Sequence, residues 1–405
     1  MKKGLTLFTK AWKLTVLIFL IVLTFSYAMF QGGYVSWFLL YSFLPFAGYC
    51  VFLSFYSLKG LKVKRVLPKA DYNAGEPLKV TVTVTRRNSF PLFYLLIADQ
   101  LDDSLQFTPQ QKSAKALLLP GLKKEFSYNY IINELPRGEH FFHSFSLRIG
   151  DPLGLFEKEK TFTVENKIMV YPAYSELIYR PFEHQYDQGM TASRERVQRD
   201  TSMAVGVRDY QPGDRFSWIN WKASAKRNEI MTKEFEQRQS NDVVIVMDCF
   251  PDRHFETIVS YTASLVRAVL KKGAQSGLLT ISNERTSFPI RGGEKQLQQL
   301  FYHLAKIKAK SVLPFEKVLE TDGLLVQQTV SFILVTGQIS KLLIEKASFL
   351  GQRKGTVTLF LIKAEKELPS GNERSLIAVA NARGIRIIIV QEGNFAAAFS
   401  EVKVR

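Results

Sequence analysis

The sequence predicts a multi-domain protein in three parts: two N-terminal transmembrane helices, a small β-sandwich, and an α/β doubly wound domain. Three observations carry this. Leu14–Phe30 and Tyr34–Leu58 are apolar runs without a charge, Leu67 to about Pro172 alternates with a period of two, and residues 241–405 alternate apolar strands with amphipathic helices. The implied division is 1–65 for the N-terminus and both helices, 66–172 for the sandwich, 173–240 for a basic connector and 241–405 for the α/β domain.

The two apolar runs hold 17 and 25 residues and are joined by Gln31-Gly32-Gly33. Lysines flank the pair on both outer ends and the connector has none, so the positive-inside rule places both ends in the cytoplasm, in a multi-pass cell-membrane protein. The first run also has a small-x-small site, Ser26-Tyr27-Ala28, as in a signal peptide. In that case the second run would still end at Lys59, Lys62, Lys64 and Arg65 and hold the rest of the chain in the cytoplasm.

In the next region Lys79–Thr85 alternates strictly, and Phe126–Ile132, Phe141–Ile149 and Thr161–Val164 are further β-like runs. Asn-Ala-Gly, Pro-Arg-Gly and Asp-Pro-Leu-Gly turns separate them, the spacing of a small sandwich. His140 and His143, three apart on a strand, would face opposite sides and make a poor metal pair.

Composition narrows the function. With 46% hydrophobic and 13% aromatic residues the 405-residue chain is not a disordered protein. Its net charge of +17 suggests an anionic partner, yet nine lysines and arginines, and no acid, fall in the first seventy residues, which leaves +8 for the rest. Most of the excess basicity is therefore a topology signal rather than a nucleic-acid footprint. Cys50 lies in an apolar run and Cys249 at the end of a buried strand, which fits neither a disulfide nor a zinc site.

The connector concentrates the unusual chemistry. Tyr210, Pro212-Gly213 and Asp214 form a turn, with Asp214 placed to cap a short helix over about Arg215–Lys226. Phe216, Ile219 and Ala223 would line one apolar stripe of that helix and Trp218, Trp221 and Ala225 a second, with Lys222, Lys226 and Arg227 at its C-terminal end. A strand over Ile230–Glu236 would follow. Aromatics near a Pro-Gly turn can simply pack; alternatively, amid ten basic and seven acidic residues between Arg194 and Arg238, they form a docking surface for a partner protein.

Tyr210, Pro212, Gly213, Asp214, Ile219, Trp221, Ser224 and Ala225 match the signature YxPGD…IxWxxSAR, so the chain resembles the bacterial family of unknown function DUF58. Where members commonly carry an arginine shortly before the isoleucine, this chain has Ser217 and Trp218. The turns at Gly75-Glu76, Arg137-Gly138, Asp151–Phe156 and Val170–Pro172 resemble the family's punctuation upstream of the signature.

The last region reads as the strand Val243–Met247, a helix Phe255–Lys272, the strand Leu278–Ile281, helices Glu294–Lys308 and Phe315–Gln327, the strand Phe332–Val335, a helix Ile339–Leu350, the strand Thr356–Ile362, a helix Asn372–Ala382 and the strand Ile385–Val390. Continuous apolar strands between helices mean a largely parallel sheet covered on both faces. It resembles the von Willebrand factor A-like domain of that family, a Rossmann-like fold, which often holds a divalent metal through Asp-x-Ser-x-Ser and later Thr and Asp ligands. Here Asp248 takes the first position, but Phe250 and Asp252 replace the serines and Thr336-Gly337-Gln338 lacks the aspartate. A hard cation needs more oxygen ligands than Asp248, Asp252 and Thr336 supply, so no cofactor is expected.

The leading expectation is a membrane-anchored, non-catalytic interaction adaptor. Its signature residues Tyr210, Pro212, Gly213, Asp214, Trp218, Trp221, Lys222 and Ser224 would bind a protein. The resemblance implies work beside a MoxR-type AAA+ ATPase in assembling or remodelling complexes, and often beside a transglutaminase-like membrane protein. No Walker A pattern occurs, so ATP would be hydrolysed by the partner. One alternative is a metal-dependent or carboxylate-based hydrolase using Asp248, Asp252 and Asp214, which has little support from five histidines and no nucleophile elbow. Another is binding of nucleic acid or an anionic surface through Arg194, Arg196, Arg199, Arg208, Lys222, Lys226 and Arg227, a field weakened by Glu195, Asp200, Asp209 and Asp214.

Overall fold

A computed structural model describes residues 2–101, 114–152, 154, 156–179, 204–212, 214–235, 242–320 and 331–400. The chain divides into two compact units, Met1–Ala173 with Tyr302–Ile307, and Tyr174–Phe301 with Lys308–Arg405.

The first unit opens with helices α1 (Lys2–Gln31) and α2 (Tyr34–Phe55). Gly32, at φ +59°, makes the left-handed turn between them that a side chain would strain. Among the described residues α2, with 22 residues and no charge, is long and apolar enough to cross a membrane; the apolar part of α1 is Thr15–Gln31. The second apolar run was expected to stay helical to Leu58, but α2 stops at Phe55. Lys158 Nζ accounts for the stop, donating to the carbonyls of Ser54 (2.6 Å) and Tyr56 (2.7 Å), where a cation suits a helix end.

Two sheets follow. One orders β1 (Leu61–Val66), β3 (Leu78–Arg86) and β6 (Glu125–Ile132) as β1-β3-β6. The other orders β2 (Asp71–Asn73), β8 (Glu157–Tyr171), β7 (Gly138–Gly150), β4 (Tyr94–Leu101) and β5 (Lys115–Leu118) as β2-β8-β7-β4-β5, with only the short β2 parallel to its neighbour. The alternation of β3 sends Val80, Val82 and Val84 into one buried cluster with Ile97, Phe142, Phe145 and Leu147 of the second sheet. Phe142 and Phe145, three apart, both point inward because the register of β7 shifts between Phe142 and Ser144. His143 sits at that bulge and is exposed, whereas His140 is buried with Nε2 2.7 Å from the Pro136 carbonyl. In the Asp-Pro-Leu-Gly turn, Asp151 accepts from the Phe156 amide (2.5 Å) and from Cys50 Sγ of α2 (3.3 Å).

The second unit holds a six-stranded sheet of β11 (Val243–Met247), β12 (Ser276–Ile281), β13 (Arg285–Arg291), β14 (Ser331–Thr336), β15 (Val357–Lys363) and β16 (Arg386–Gln391), ordered β13-β12-β11-β14-β15-β16. Every pairing is parallel except that of the edge strand β13. On one face Val246, Leu334, Leu359 and Leu361 pack against the helices Phe315–Glu320, Lys341–Lys354 and Gly371–Ala382. On the other, Phe360 meets Tyr261 of the helix Phe255–Lys271 at 5.1 Å between ring centroids and Phe399 of Ala397–Ser400 at 5.9 Å. Helices on both faces of a mostly parallel sheet make this an open α/β fold. The helix expected to run to Gln327 is described to Glu320, and 321–330 lie outside the described residues.

Sequence reading missed β13. Its run Arg-Thr-Ser-Phe-Pro-Ile-Arg contains Pro289, which an edge strand tolerates because one row of amides needs no partner. Gly277 opposite marks a register shift, where a Cβ would lie 3.0 Å from the Phe288 carbonyl. The buried Gln296 amide closes the gap by donating to the carbonyls of Ser276 (3.0 Å) and Pro289 (2.9 Å).

Candidate functional site

The signature folds as a small lobe. Strands β9 (Ala204–Asp209) and β10 (Met231–Phe235) pair antiparallel, and the segment between them is folded back as a 3-10 turn, Phe216–Trp218, and a helix α3, Trp221–Arg227. The single helix expected over Arg215–Lys226 is thus split at Ile219 and Asn220. Ile219 is buried, extended and bridged to Thr232, and the Asn220 amide donates to the Met231 carbonyl at 2.8 Å, so both residues leave the helical conformation and are tied to β10.

Asn220, not Asp214, caps the helix, its Oδ1 accepting from the Ala223 amide at 3.2 Å. Asp214 instead closes the turn before it, accepting from the Gln211 amide (3.0 Å) and Arg208 Nη2 (2.7 Å). The Arg208 guanidinium, helped by that amide, holds the Asp214 carboxyl below its ordinary range. Ser224 Oγ donates to the Asn220 carbonyl at 2.9 Å and accepts from the Met231 amide at 2.8 Å. Asn228, at φ +58°, ends the helix in the left-handed conformation that asparagine tolerates.

With those groups spent on the lobe itself, the aromatics separate into two classes. Phe216 is 78% and Trp221 68% exposed. Tyr210 and Trp218 are half-buried, Tyr210 with its amide on the Ile230 carbonyl (2.9 Å) and Trp218 under Arg215, 5.4 Å from the ring centroid. Lys222, Lys226 and Arg227 are exposed, as is Pro212. Gly213, Arg194, Arg196 and Arg199 lie outside the described residues.

The second candidate lies at the C-terminal ends of β11 and β14, where the strand order reverses and open α/β sheets place ligands. Asp248 Oδ2 accepts from Thr336 Oγ1 at 2.7 Å and its Oδ1 from the Phe250 amide at 2.9 Å. Burial pushes the Asp248 carboxyl up to about 6, against these hydrogen bonds. Asp252 is engaged as well: Oδ1 accepts from the His254 amide (2.7 Å) and lies 3.0 Å from His254 Nδ1, and Oδ2 accepts from Gln338 Nε2 (2.7 Å). Burial raises the Asp252 carboxyl, but these donors outweigh it and hold it below the usual range.

Sequence reasoning missed His254, Gln338 and Glu367. His254 Nε2 lies 3.0 Å from Glu367 Oε2, and Arg253 pairs with Glu367 Oε1 at 2.5 Å, which links the first loop to the one after β15. Nothing local in the sequence connects positions so far apart. The residues do not fit a divalent metal: both oxygens of Asp248 and of Asp252 already accept hydrogen bonds from protein donors, and Phe250 offers no ligand. Among the described residues no group of three His, Cys, Asp or Glu is placed to hold an ion. Asp214 has different partners in a different element, so it does not complete a carboxylate set with Asp248 and Asp252. Cys249 is buried, its Sγ 3.7 Å from the Met247 carbonyl.

An open α/β sheet preceded by an aromatic hairpin lobe, with the switch-point carboxylates Asp248 and Asp252 held by the protein's own donors, defines the class of α/β domain to which the described residues belong. The family described as "Protein of unknown function DUF58" matches residues 206–401, which takes in the lobe from Gly206 onward and the whole sheet. "Uncharacterized protein YeaD" of Bacillus subtilis (strain 168) is 38% identical over 384 residues, covering 94% of this chain and 96% of the relative. The chain belongs to the DUF58 family. Among solved structures, the SpRpn10 VWA domain is 13% identical, covering 39% of this chain and 93% of that domain, with a TM-score of 0.28. The CARDB domain of a Pyrococcus furiosus protein is 10% identical, covering 27% and 91%, with a TM-score of 0.20. Neither superposes closely enough to carry an argument about this chain.

Proposed function

We propose that the protein is a non-catalytic adaptor, anchored by α1 and α2 as two membrane spans with its soluble parts in the cytoplasm, and that the lobe Ala204–Phe235 binds a protein partner. The observation that carries this reading is that Phe216 and Trp221 are exposed on a lobe in which Asp214, Asn220 and Ser224 are consumed in holding it together. Exposed aromatics beside cations such as the exposed Lys222, Lys226 and Arg227 are a common composition of an interaction hot spot. The two sheets of the first unit, facing each other as a sandwich over a shared core, then act as a spacer, and the C-terminal sheet is a von Willebrand A-like platform.

The switch-point loops support a binding role over a hydrolytic one. Both ring nitrogens of His254 are occupied by carboxylates, which leaves neither as a free general base. No cofactor is needed for such a role. The partner suggested by the family resemblance is a MoxR-type AAA+ ATPase, which would supply the ATP hydrolysis.

The test is co-purification from membranes in mild detergent, comparing the native chain with Phe216→Ala/Trp221→Ala. An AAA+ ATPase that accompanies the native chain and is lost with the folded variant supports the adaptor reading. Retention of the same ATPase by the variant removes the lobe from that role.

A further inference from the structure

Two loops of the first unit lie side by side next to α2. Residues 87–93 join β3 to β4 and residues 119–124 join β5 to β6. Leu92 and Gly121 exchange both backbone hydrogen bonds, at 3.1 and 3.2 Å. The buried guanidinium of Arg86 clamps them together, donating to the carbonyls of Phe90 (2.5 Å), Gly121 (2.7 Å) and Lys123 (2.6 Å). What this clamp holds outward is apolar: Phe93 is 53%, Leu119 78% and Leu122 65% exposed. Beside them Arg87, Lys123 and Lys124 are exposed cations. Loop tips in water are ordinarily built from Gly, Asn, Asp and Ser, so three large hydrophobes on a clamped pair of turns have another environment to meet.

Their depth identifies it. The Phe93 amide donates to the Tyr49 hydroxyl at 3.2 Å, and the Tyr49 ring lies against Phe90 and Phe93 at 5.7 and 5.3 Å between centroids. The loops are therefore level with Tyr49, which follows Tyr34 by about 15 residues, or ~22 Å of helix. A hydrocarbon core is roughly 30 Å thick. With Tyr34 at the far interface, Tyr49 comes within about two helix turns of the near edge of the apolar layer, so the loops beside it lie at that edge rather than out in water.

We infer that the paired loops are a lipid-docking surface. Phe93, Leu119 and Leu122 enter the acyl–headgroup boundary of the leaflet that α2 leaves, and Arg87, Lys123 and Lys124 face anionic phospholipid headgroups. The inference rests on α2 spanning the membrane. It adds that the first unit is seated on the bilayer rather than tethered away from it.

The test uses full-length protein carrying Cys50→Ser and Cys249→Ser, reconstituted in vesicles of phosphatidylcholine with phosphatidylglycerol, with single nitroxide labels at Phe38→Cys, Leu119→Cys, Leu122→Cys or Glu134→Cys. Collision rates with oxygen and with a water-soluble nickel chelate are compared. The expected result is an oxygen-to-nickel ratio at Leu119 and Leu122 several-fold above that at Glu134 and approaching that at Phe38. An aqueous ratio at Leu119 and Leu122 with a lipid ratio at Phe38 overturns the docking surface and leaves the anchor intact, pointing to a protein occupant. Aqueous ratios at all four sites overturn the anchor and the inference together.

Discussion

Ser224 Oγ accepts the Met231 amide at 2.8 Å while donating to the Asn220 carbonyl, so one hydroxyl fastens α3 to β10. The signature serine is thereby explained by architecture, and the exposed Trp221 three residues earlier is not. Ser224→Ala leaves the Met231 amide without its acceptor and should cost about 1–2 kcal/mol. Trp221→Ala removes an exposed ring and should change stability by less than about 0.5 kcal/mol. Paired thermal melts in detergent check this: a drop for Ser224→Ala with none for Trp221→Ala assigns the two residues different work, and a large drop for Trp221→Ala makes the ring structural.

At the switch point the prediction concerns pH. Burial raises the Asp248 carboxyl from its ordinary value to about 6. The folded protein then binds a proton more readily than the unfolded chain, so ionisation costs stability as pH rises from about 4 to 6, and the full cost stands above that. Asp248→Asn keeps an acceptor for the Phe250 amide and presents an amide to Thr336, whose hydroxyl can donate to the Gln338 carbonyl at 3.0 Å. The variant should be stabilised by about 2 kcal/mol at neutral pH, with the gain shrinking toward zero near pH 4. Melting temperatures of both proteins across that range are decisive. A gain independent of pH means that Asp248 titrates normally.

The edge of the same sheet offers a steric prediction. Gly277→Ala places a Cβ 3.0 Å from a backbone carbonyl of β13, which cannot swing aside like a flexible side chain. Strand β13 must shift, at a cost of about 1–3 kcal/mol. Faster amide exchange confined to residues 285–291 would locate the damage there; uniform exchange would argue against it.

The sheet of the second unit was legible because its strands are unbroken apolar runs. Val243–Met247 appears in the structure with the limits read from the sequence, and the flanking helices agree within a few residues except where Phe315–Glu320 is followed by undescribed positions. The half-exposed strands were harder. Only Thr161–Val164 of the 15-residue β8 was legible, since residues such as Lys158, Glu159 and Lys160 carry no apolar period. At the lobe, aromatic content and the Pro-Gly turn singled out the segment, but the split at Ile219–Asn220 depends on pairing with β10, a tertiary demand that helix periodicity cannot register. Asp248 and Thr336 were placed together through the family pattern. The His254–Glu367 link required the folded sheet to bring two distant loops to one edge.

The core of the first unit tests whether its two sheets depend on one buried ion pair. Arg65 of β1 meets Asp99 of β4 in a bidentate pair, Nε–Oδ2 at 3.0 Å and Nη2–Oδ1 at 2.5 Å, with both side chains fully buried. Tyr130 of β6 donates to Asp99 at 2.6 Å, and the guanidinium also reaches the Val164 carbonyl at 2.8 Å and lies over Phe145 at 4.3 Å. The pair thus joins a residue of each sheet through the shared core. Desolvating two charges offsets most of their attraction, so the pair contributes little net stability while each partner alone would be costly to bury. Arg65→Met should therefore cost about 3–5 kcal/mol, by leaving Asp99 unpaired in an apolar core. Arg65→Met/Asp99→Leu should recover a large part of that loss, although the Tyr130 hydroxyl forfeits its acceptor. A double-mutant cycle from unfolding in mild detergent measures the coupling. A double variant as unstable as Arg65→Met alone would mean that the ion pair itself, rather than the avoidance of a lone buried charge, holds the sheets together, and a loss equal to the sum of the two single changes would mean that the two residues are not coupled.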